Sequence, residues 1–333
     1  VNQEIFENRF EGYDIIGDIH GCGRTLVKLL EAMGYKKRDG VYQHSKRQMI
    51  FVGDIVDRGP HIRKTLNVVY DMVTRGHAQI VMGNHEYNVY CYATIDEVKT
   101  RETGKTCYLR EHNTHNQRLV SETFEQFANY SADFKEYLNW FSHLPLFLEM
   151  PNFRVVHACW DEQYVNDYLK KYQTNQVSPE IIVKSSDLTS FEGKVLDRLM
   201  RGTSLPLPDD EVIRSRDGFE RRLFRTKFWS DTPVTYSDVV FQPDALPEHL
   251  IERPLSDGEL KRLIHYPTQA KPVFFGHYWL HGKPAPVKHN ICCLDYSAVK
   301  YGRLVAYRMD GEEKLDPGNY VWLYVDPPER GHD

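Results

Sequence analysis

An α/β fold with a mainly parallel, layered core is expected for this 333-residue chain, on three observations. Short apolar runs recur, each about four residues long, which is the mark of strands buried on both faces. They are Tyr13-Asp14-Ile15-Ile16, Met49-Ile50-Phe51-Val52, Gln79-Ile80-Val81-Met82, Phe153-Arg154-Val155-Val156 and Pro272-Val273-Phe274-Phe275. Helical stretches separate the first three runs, and strand–helix–strand alternation implies parallel pairing. Each run then meets Gly-Asp, Gly-Asn, His or Gly-His. Open α/β sheets gather ligands at the carboxyl ends of their strands, so these groups are expected to converge on one rim.

The intervening elements follow in order. Leu26, Leu29, Leu30 and Met33 share one helix face, and Gly34 is a suitable stop. Ile62, Leu66, Val69 and Val73 repeat the pattern and Gly76 closes it. Phe124, Phe127, Tyr130, Phe134, Leu138 and Phe141 are spaced for an apolar helix face that packs rather than binds. Between residues 161 and 270 the pattern weakens while prolines and charges rise, which reads as an insertion over the rim. Strand-like runs resume at Ile291–Leu294, Leu304–Tyr307 and Tyr320–Val325, so residues 12–330 are expected to form a single domain. There is no internal repeat and no low-complexity tract.

Composition narrows the class. A 41% hydrophobic and 27% charged chain is ordinary for a globular protein. No apolar run approaches the roughly 18 residues of a membrane helix, so no membrane partner is expected. The stretch up to Phe10 is polar and acidic-leaning, without the basic-then-apolar order of a secretory signal. Cys22, Cys91, Cys107, Cys159, Cys292 and Cys293 show no CxxC spacing. They read as reduced, mostly buried thiols of a cytoplasmic protein. A net charge of −5 argues against dedicated nucleic-acid binding. The oligomeric state is not legible.

Chemistry is concentrated in three motifs: Gly17-Asp18-Ile19-His20-Gly21, Gly53-Asp54-Ile55-Val56-Asp57-Arg58-Gly59-Pro60 and Gly83-Asn84-His85-Glu86. In a strand, Asp18 and His20 project from the same face, which suits an oxygen and a nitrogen ligand to one metal. Asp54 can bridge two ions through its two oxygens. Asn84 offers a neutral amide oxygen, and His157 and His277 add imidazoles just after apolar runs. Mixed oxygen and nitrogen donors without thiolate suit manganese first, with iron or zinc as alternatives. A lone aspartate or histidine on a loop is ordinarily solvated or capping, and His281 and His289 are read that way.

These motifs, in this order and context, closely resemble the calcineurin-like metallophosphoesterases, in the branch of phosphoprotein phosphatases and dinucleoside polyphosphate hydrolases. Val155-Val156-His157-Ala158, Phe275-Gly276-His277 and the stretch from Leu294-Asp295-Tyr296 to Tyr307 extend the resemblance, the last toward bacterial members. It implies a β-sandwich of mixed sheets flanked by helices. It also implies two divalent ions, one held by Asp18, His20 and the bridging Asp54, the other by Asp54, Asn84, His157 and His277. Ions roughly 3.5 Å apart acidify a shared water whose hydroxide attacks phosphorus. By the same resemblance Arg58 grips phosphate oxygens bidentately, and His85 protonates the leaving oxygen with Asp57 holding its imidazole oriented and charged.

The departures matter. Met82 stands where eukaryotic protein phosphatases carry arginine before this third motif, and Ala158-Cys159 replaces their glycine pair. A second phosphate-binding arginine is expected, with Arg201 and Arg225 as candidates. The basic segment Arg214 to Lys227 is read as a solvated helical face, or alternatively as a patch that guides anionic substrate. No cysteine has arginine at the sixth following position, and Lys99 stands where a phosphate loop ending in Gly104-Lys105-Thr106 needs glycine. The expected activity is a phosphatase acting on phosphoprotein, on Ser/Thr or Tyr. The alternatives are a hydrolase of dinucleoside tetraphosphates or nucleic-acid end phosphates, and a non-catalytic scaffold. Phosphorylated protein or nucleotide is the expected partner.

Overall fold

The computed structural model describes residues 10–214, 220–241, 246–300 and 302–330. The polar stretch up to residue 9, and Arg216 and Asp217 of the basic segment, lie outside the described residues. In chain order, β1 (Gly12–Ile16), α1 (Gly23–Ala32), β2 (Arg47–Phe51), α2 (Ile62–Thr74), β3 (Ala78–Ile80) and α3 (Asn84–Ala93) form the first half. There follow α4 (Thr114–Phe127), α5 (Ser131–Phe141), β4 (Phe147–Glu149), β5 (Arg154–Val156), α6 (Glu162–Tyr172), α7 (Pro179–Ser185) and α8 (Phe191–Arg201). Strands β6 (Thr203–Pro206), β7 (Leu223–Thr226), β8 (Val273–Phe275), β9 (Ile291–Cys293), β10 (Arg303–Met309) and β11 (Tyr320–Tyr324) complete the frame.

Two sheets stack. One has the order β11-β10-β1-β2-β3 and the other β9-β8-β5-β4. The apolar runs are continuous because both faces of these strands are covered. Ile15, Ile50, Val155 and Phe274 point between the sheets, with Val305 and Tyr307. Their chain neighbours Ile16, Phe51, Val156 and Phe275 point outward into the helical layers. Leu26, Leu29 and Leu30 of α1 and Leu66 and Val69 of α2 meet them there. Gly34, at φ +90°, and Gly76, at φ +76°, turn the chain out of the two helices.

Several expectations need correction. The sheets are mixed rather than mainly parallel. β1, β2 and β3 run parallel, but β10 joins β1, and β11 joins β10, antiparallel. The short link between β10 and β11, turning at Gly311 with φ +97°, can only join antiparallel neighbours. The apolar stripe from Phe124 to Phe141 lies on two helices, α4 and α5, not one. The break falls at Tyr130, followed by Ser131 and Asp133, residue types that favour a helix start over its interior. Between 161 and 270 the first part is strongly helical. Val165, Tyr168, Ile182, Leu196 and Leu199 of α6 to α8 join the principal core, whereas residues from Leu205 to Leu255 form a small core of their own. Among its described residues the basic segment contains strands, not a helix. Along β7 burial alternates, with Phe224 and Thr226 inside and Leu223 exposed, which is the period of a strand.

The end of the described chain closes on its beginning. The buried Glu329 carboxylate accepts hydrogen bonds from Arg24 N (2.7 Å), Thr25 N (2.9 Å) and Thr25 Oγ1 (2.5 Å) at the first turn of α1. It also meets His61 Nδ1 at 2.8 Å. A carboxylate suits a helix N-terminus, where backbone N–H groups lack partners and the dipole is positive.

Phe274 is fully buried between the sheets, edge-on to Phe153 at 5.6 Å and tilted against Tyr307 at 5.2 Å. Phe274→Ala is expected to lower the unfolding free energy by about 3–5 kcal/mol in denaturant titration; a change near zero would mean that the sheets are not packed face to face.

Candidate metal centre

The parallel strands deliver their last residues to one edge, and tight loops then turn the donor groups inward. Asp18 and His20 are not on strand β1, which ends at Ile16. They converge because His20 takes a left-handed φ of +45°. Asp54 (+53°), Asp57 (+64°), Arg58 (+67°) and His277 (+63°) do the same, so five of the ten non-glycine residues with positive φ among those described belong to this rim. Such backbone is strained for L-residues and persists only where the surroundings over-determine it. Gly276 is required for proximity, since a side chain there would strike the Asp18 carboxylate.

Asp54 is the hub. Its Oδ2 lies 3.3 Å from His157 Nε2, 3.7 Å from His20 Nε2 and 3.9 Å from His85 Nε2. Its Oδ1 accepts the His85 N–H at 2.9 Å. Among the described residues, two groups have ligand atoms mutually within 4.8 Å: His20, Asp54 and His85, and Asp54, His157 and His277. Asn84 Oδ1 stands 3.1 Å from His157 Nε2, joining the second group. Asp18 falls in neither, and His85 takes its expected place in the first. The Asp18 Oδ2 accepts the His277 N–H at 3.1 Å, while its Oδ1, like His277 Nε2, is buried with no hydrogen-bond partner.

This donor set fits divalent cations. Burial and the neighbouring Asp295 hold the Asp18 carboxyl well above its ordinary range. Burial pushes His20 and His277 well down, helped by Arg58 at the first and Arg225 at the second. Burial opposes a charge on His157, yet Asp54 and Asp18 lift it to about 10. Crowded carboxylates, neutral imidazoles and orphaned donor atoms are what a cation would satisfy. The ring nitrogens facing away from Asp54 are aimed by backbone: His20 Nδ1 donates to Val56 O at 2.9 Å and His157 Nδ1 to Val52 O at 2.6 Å. That fixes the tautomer in which Nε2 is the free ligand atom.

Beside the hub, His85 Nδ1 meets Asp57 Oδ2 at 2.7 Å, and Arg58 Nη2 lies 3.4 Å from His85 Nε2. Arg58 is exposed at the rim. Burial pushes His85 down to about 3, partly opposed by Asp54 and reinforced by Arg58. Burial also pushes Asp57 well up, with Thr123 opposing. Both shifts weaken the charge separation within the pair.

Three supporting groups escaped the sequence reading. Glu86 accepts from Asp54 N (2.8 Å), Ile55 N (2.8 Å) and Gly83 N (3.0 Å), tying the second motif to the third. Thr123 donates through Oγ1 to Asp57 Oδ1 and accepts from Asp57 N. Asp295, buried after β9, is capped by Ser297 N at 2.7 Å. Glu86 and Asp295 stand inside stretches that carry the resemblance; Thr123 has no local signal. His281 and His289 are exposed, as expected.

A rim of this kind on stacked mixed sheets defines a phosphoesterase of the calcineurin-like class. The sequence pattern of the calcineurin-like phosphoesterase family matches residues 13–278, and the chain belongs to that family. Among curated relatives, an asymmetrical bis(5'-nucleosyl)-tetraphosphatase PrpE of Oceanobacillus iheyensis is 35% identical over 164 residues, 48% of this chain and 61% of that protein. Its namesake in Halalkalibacterium halodurans is 33% identical over 165 residues, 49% of this chain and 63% of that protein. The chain thus spans less than two thirds of the length of these relatives. Among solved structures, a cold-active protein-tyrosine phosphatase of a Shewanella species has a TM-score of 0.49 at 13% identity, covering 92% of this chain and 81% of that one. A protein serine/threonine phosphatase of Saccharomyces cerevisiae has a TM-score of 0.46 at 14% identity, covering 96% and 81%. No helix among the described residues is long and apolar enough to cross a membrane.

If Glu86 sets the pose of Asp54, Glu86→Gln is expected to weaken Mn²⁺ binding by roughly 10–100-fold in equilibrium dialysis, with the circular dichroism spectrum retained. Unchanged affinity would reduce Glu86 to a helix-capping residue.

Proposed function

We propose that the chain is a dinuclear-metal hydrolase of phosphoric esters and anhydrides. The observation that carries this reading is the single buried carboxylate, Asp54, shared by two groups of imidazole donors beside the His85–Asp57 pair. In this reading Asp18, His20 and Asp54 hold one ion, and Asp54, Asn84, His157 and His277 hold the other. Such ions supply Lewis acidity that polarises a phosphoryl group and acidifies water. Manganese is the preferred metal, with iron or zinc as alternatives.

The protein's own groups account for the rest. The exposed, planar guanidinium of Arg58 suits two phosphate oxygens at once. His85 gives its Nε2 proton to the leaving oxygen while Nδ1 keeps its contact to Asp57, which fixes the ring and returns a proton to it. A non-catalytic scaffold is disfavoured because every one of these groups is present. Residues 12–330 are proposed as one domain, with 161–270 inserted over the rim. The substrate reading is twofold: dinucleoside tetraphosphate, the sequence's alternative, is supported by the names of the curated relatives, and phosphoprotein, the activity first expected from the sequence, stands beside it, since the same core serves either leaving group.

Two outcomes are expected. With added Mn²⁺ the protein hydrolyses p-nitrophenyl phosphate, and Asp54→Asn abolishes turnover; a flat response with Mn²⁺, Zn²⁺ and Fe²⁺ alike would refute the hydrolase. For His85→Asn, kcat should fall by about 10²–10⁴-fold on an alkyl phosphate, whose leaving oxygen needs a proton. The loss should be smaller on p-nitrophenyl phosphate, whose leaving group departs as an anion. Equal losses on both would remove His85 from the acid role.

A further inference from the structure

The two arginines singled out in the sequence as rival phosphate ligands do not compete in the structure; they line the same cavity. Its volume is about 250 Å³, and its wall includes Asp197, Arg201, Thr203, Ser204, Arg221 and Arg225. The geometry follows from strand register. β7 pairs antiparallel with β6, setting Arg225 opposite Ser204. Because successive strand residues face opposite sides, Leu223 and Arg225 share a face, while Phe224 and Thr226 turn into the small core beneath. Arg201, in the last turn of α8, approaches from the other wall.

This cavity adjoins the metal centre. Arg225 Nη1 donates to the carbonyl of His277 at 3.2 Å. Arg201 Nη2 donates to Asn88 Oδ1 at 2.9 Å, one turn beyond Asn84 on α3. Arg201 and Arg225 are paired differently. Asp197 meets Arg201 at 3.3 Å, but among the described residues Arg225 makes no ion pair. Arg221 lines the cavity beside it. Partly buried guanidiniums crowded together are stabilised by an anion, and two or more of them match the oxygens of a phosphate. The Thr203 and Ser204 residues beside them carry hydroxyls able to donate to the same oxygens.

We infer that this cavity is a subsite for a second phosphate group, one in series with the phosphate attacked at Asp54 and Arg58, so that the protein selects polyphosphate chains over isolated monoesters. The inference rests on the hydrolase reading for the attacked phosphate, but the cavity itself involves none of the proposed metal ligands. Leu223, Phe224 and the Arg201-paired Asp197 also line it, but three guanidiniums and two hydroxyls in so compact a wall suit an inorganic phosphate chain better than a peptide.

Two measurements on the full chain separate the subsite from the catalytic reading. In titration calorimetry of the metal-free protein, inorganic triphosphate should bind at least tenfold more tightly than orthophosphate, and Arg221→Ala should reduce that preference at least tenfold. With metal in excess over total phosphate, the ratio of kcat/KM for diadenosine tetraphosphate to that for p-nitrophenyl phosphate should fall at least tenfold in Arg221→Ala. Leu223→Ala, which removes an uncharged side chain from the same cavity wall, should leave the binding preference intact. Arg221→Lys should fall between, because it keeps the charge and loses the fork. Equal binding of triphosphate and orthophosphate, an unchanged preference in Arg221→Ala, or a larger effect on an acidic phosphopeptide than on the tetraphosphate would overturn the subsite. Absence of any turnover together with retained triphosphate binding would instead sink the hydrolase reading and leave the subsite standing.

Discussion

The carboxylate of Glu86 is the contact on which the rest of the rim depends. It is fully buried and carries no metal-facing role, yet it receives the backbone N–H groups of Asp54, Ile55 and Gly83. Those amides belong to two loops that leave adjacent parallel strands, and both would otherwise be buried without partners. An unsatisfied buried amide costs about 1–3 kcal/mol, so one side chain accounts for much of the stability of the turn that lifts Asp54 into its left-handed conformation. The same geometry explains why the third motif begins a helix: Glu86 caps its own first turn while reaching across to the second motif.

From that anchor the electrostatics follow. Asp54 is pushed well below its ordinary range despite burial, because His157 and His85 surround it. At Asp18, burial and Asp295 outweigh the same His157 and drive the carboxyl the other way. The rim is therefore polarised before any ion arrives, with one carboxylate committed to its charge and another resisting it. Burial of the whole set inside two apolar layers keeps the local dielectric low, which strengthens each of these interactions relative to water. The packed sandwich and the charged rim are thus one device rather than two.

How much of this could be read from the chain depended on range. The strands were legible because burial on both faces writes itself as uninterrupted apolar runs. Asp18, His20, Asp54, Asn84 and His85 can be named as candidates because each motif is local. What failed was anything set by distant pairing. The antiparallel closure by β10 and β11, the contact of Thr123 with Asp57 across 66 positions, and the seating of Asp18 beside His277 have no local signature. The helices α6 to α8 were missed for another reason. Their buried residues, such as Val165 and Tyr168 or Leu196 and Leu199, are spaced at three and separated by polar pairs, Asn166-Asp167 and Asp197-Arg198. A search for apolar runs passes over that composition, whereas helical periodicity would have found it.

The seating of Glu329 on the first turn of α1 has a consequence for how the molecule comes into being. The loop bearing Asp18 and His20 leaves the ribosome early, but the carboxylate that clamps the helix behind it lies 305 positions downstream of Arg24. The antiparallel strands that flank β1 arrive equally late. A fold that joins segments so far apart in sequence forms slowly and passes through partly formed states. During synthesis the earliest histidines and aspartates are thus exposed without the scaffold that separates and orients them. Order of translation and order of assembly run in opposite senses here, and the rim becomes a defined site only when the last strands have closed over the first.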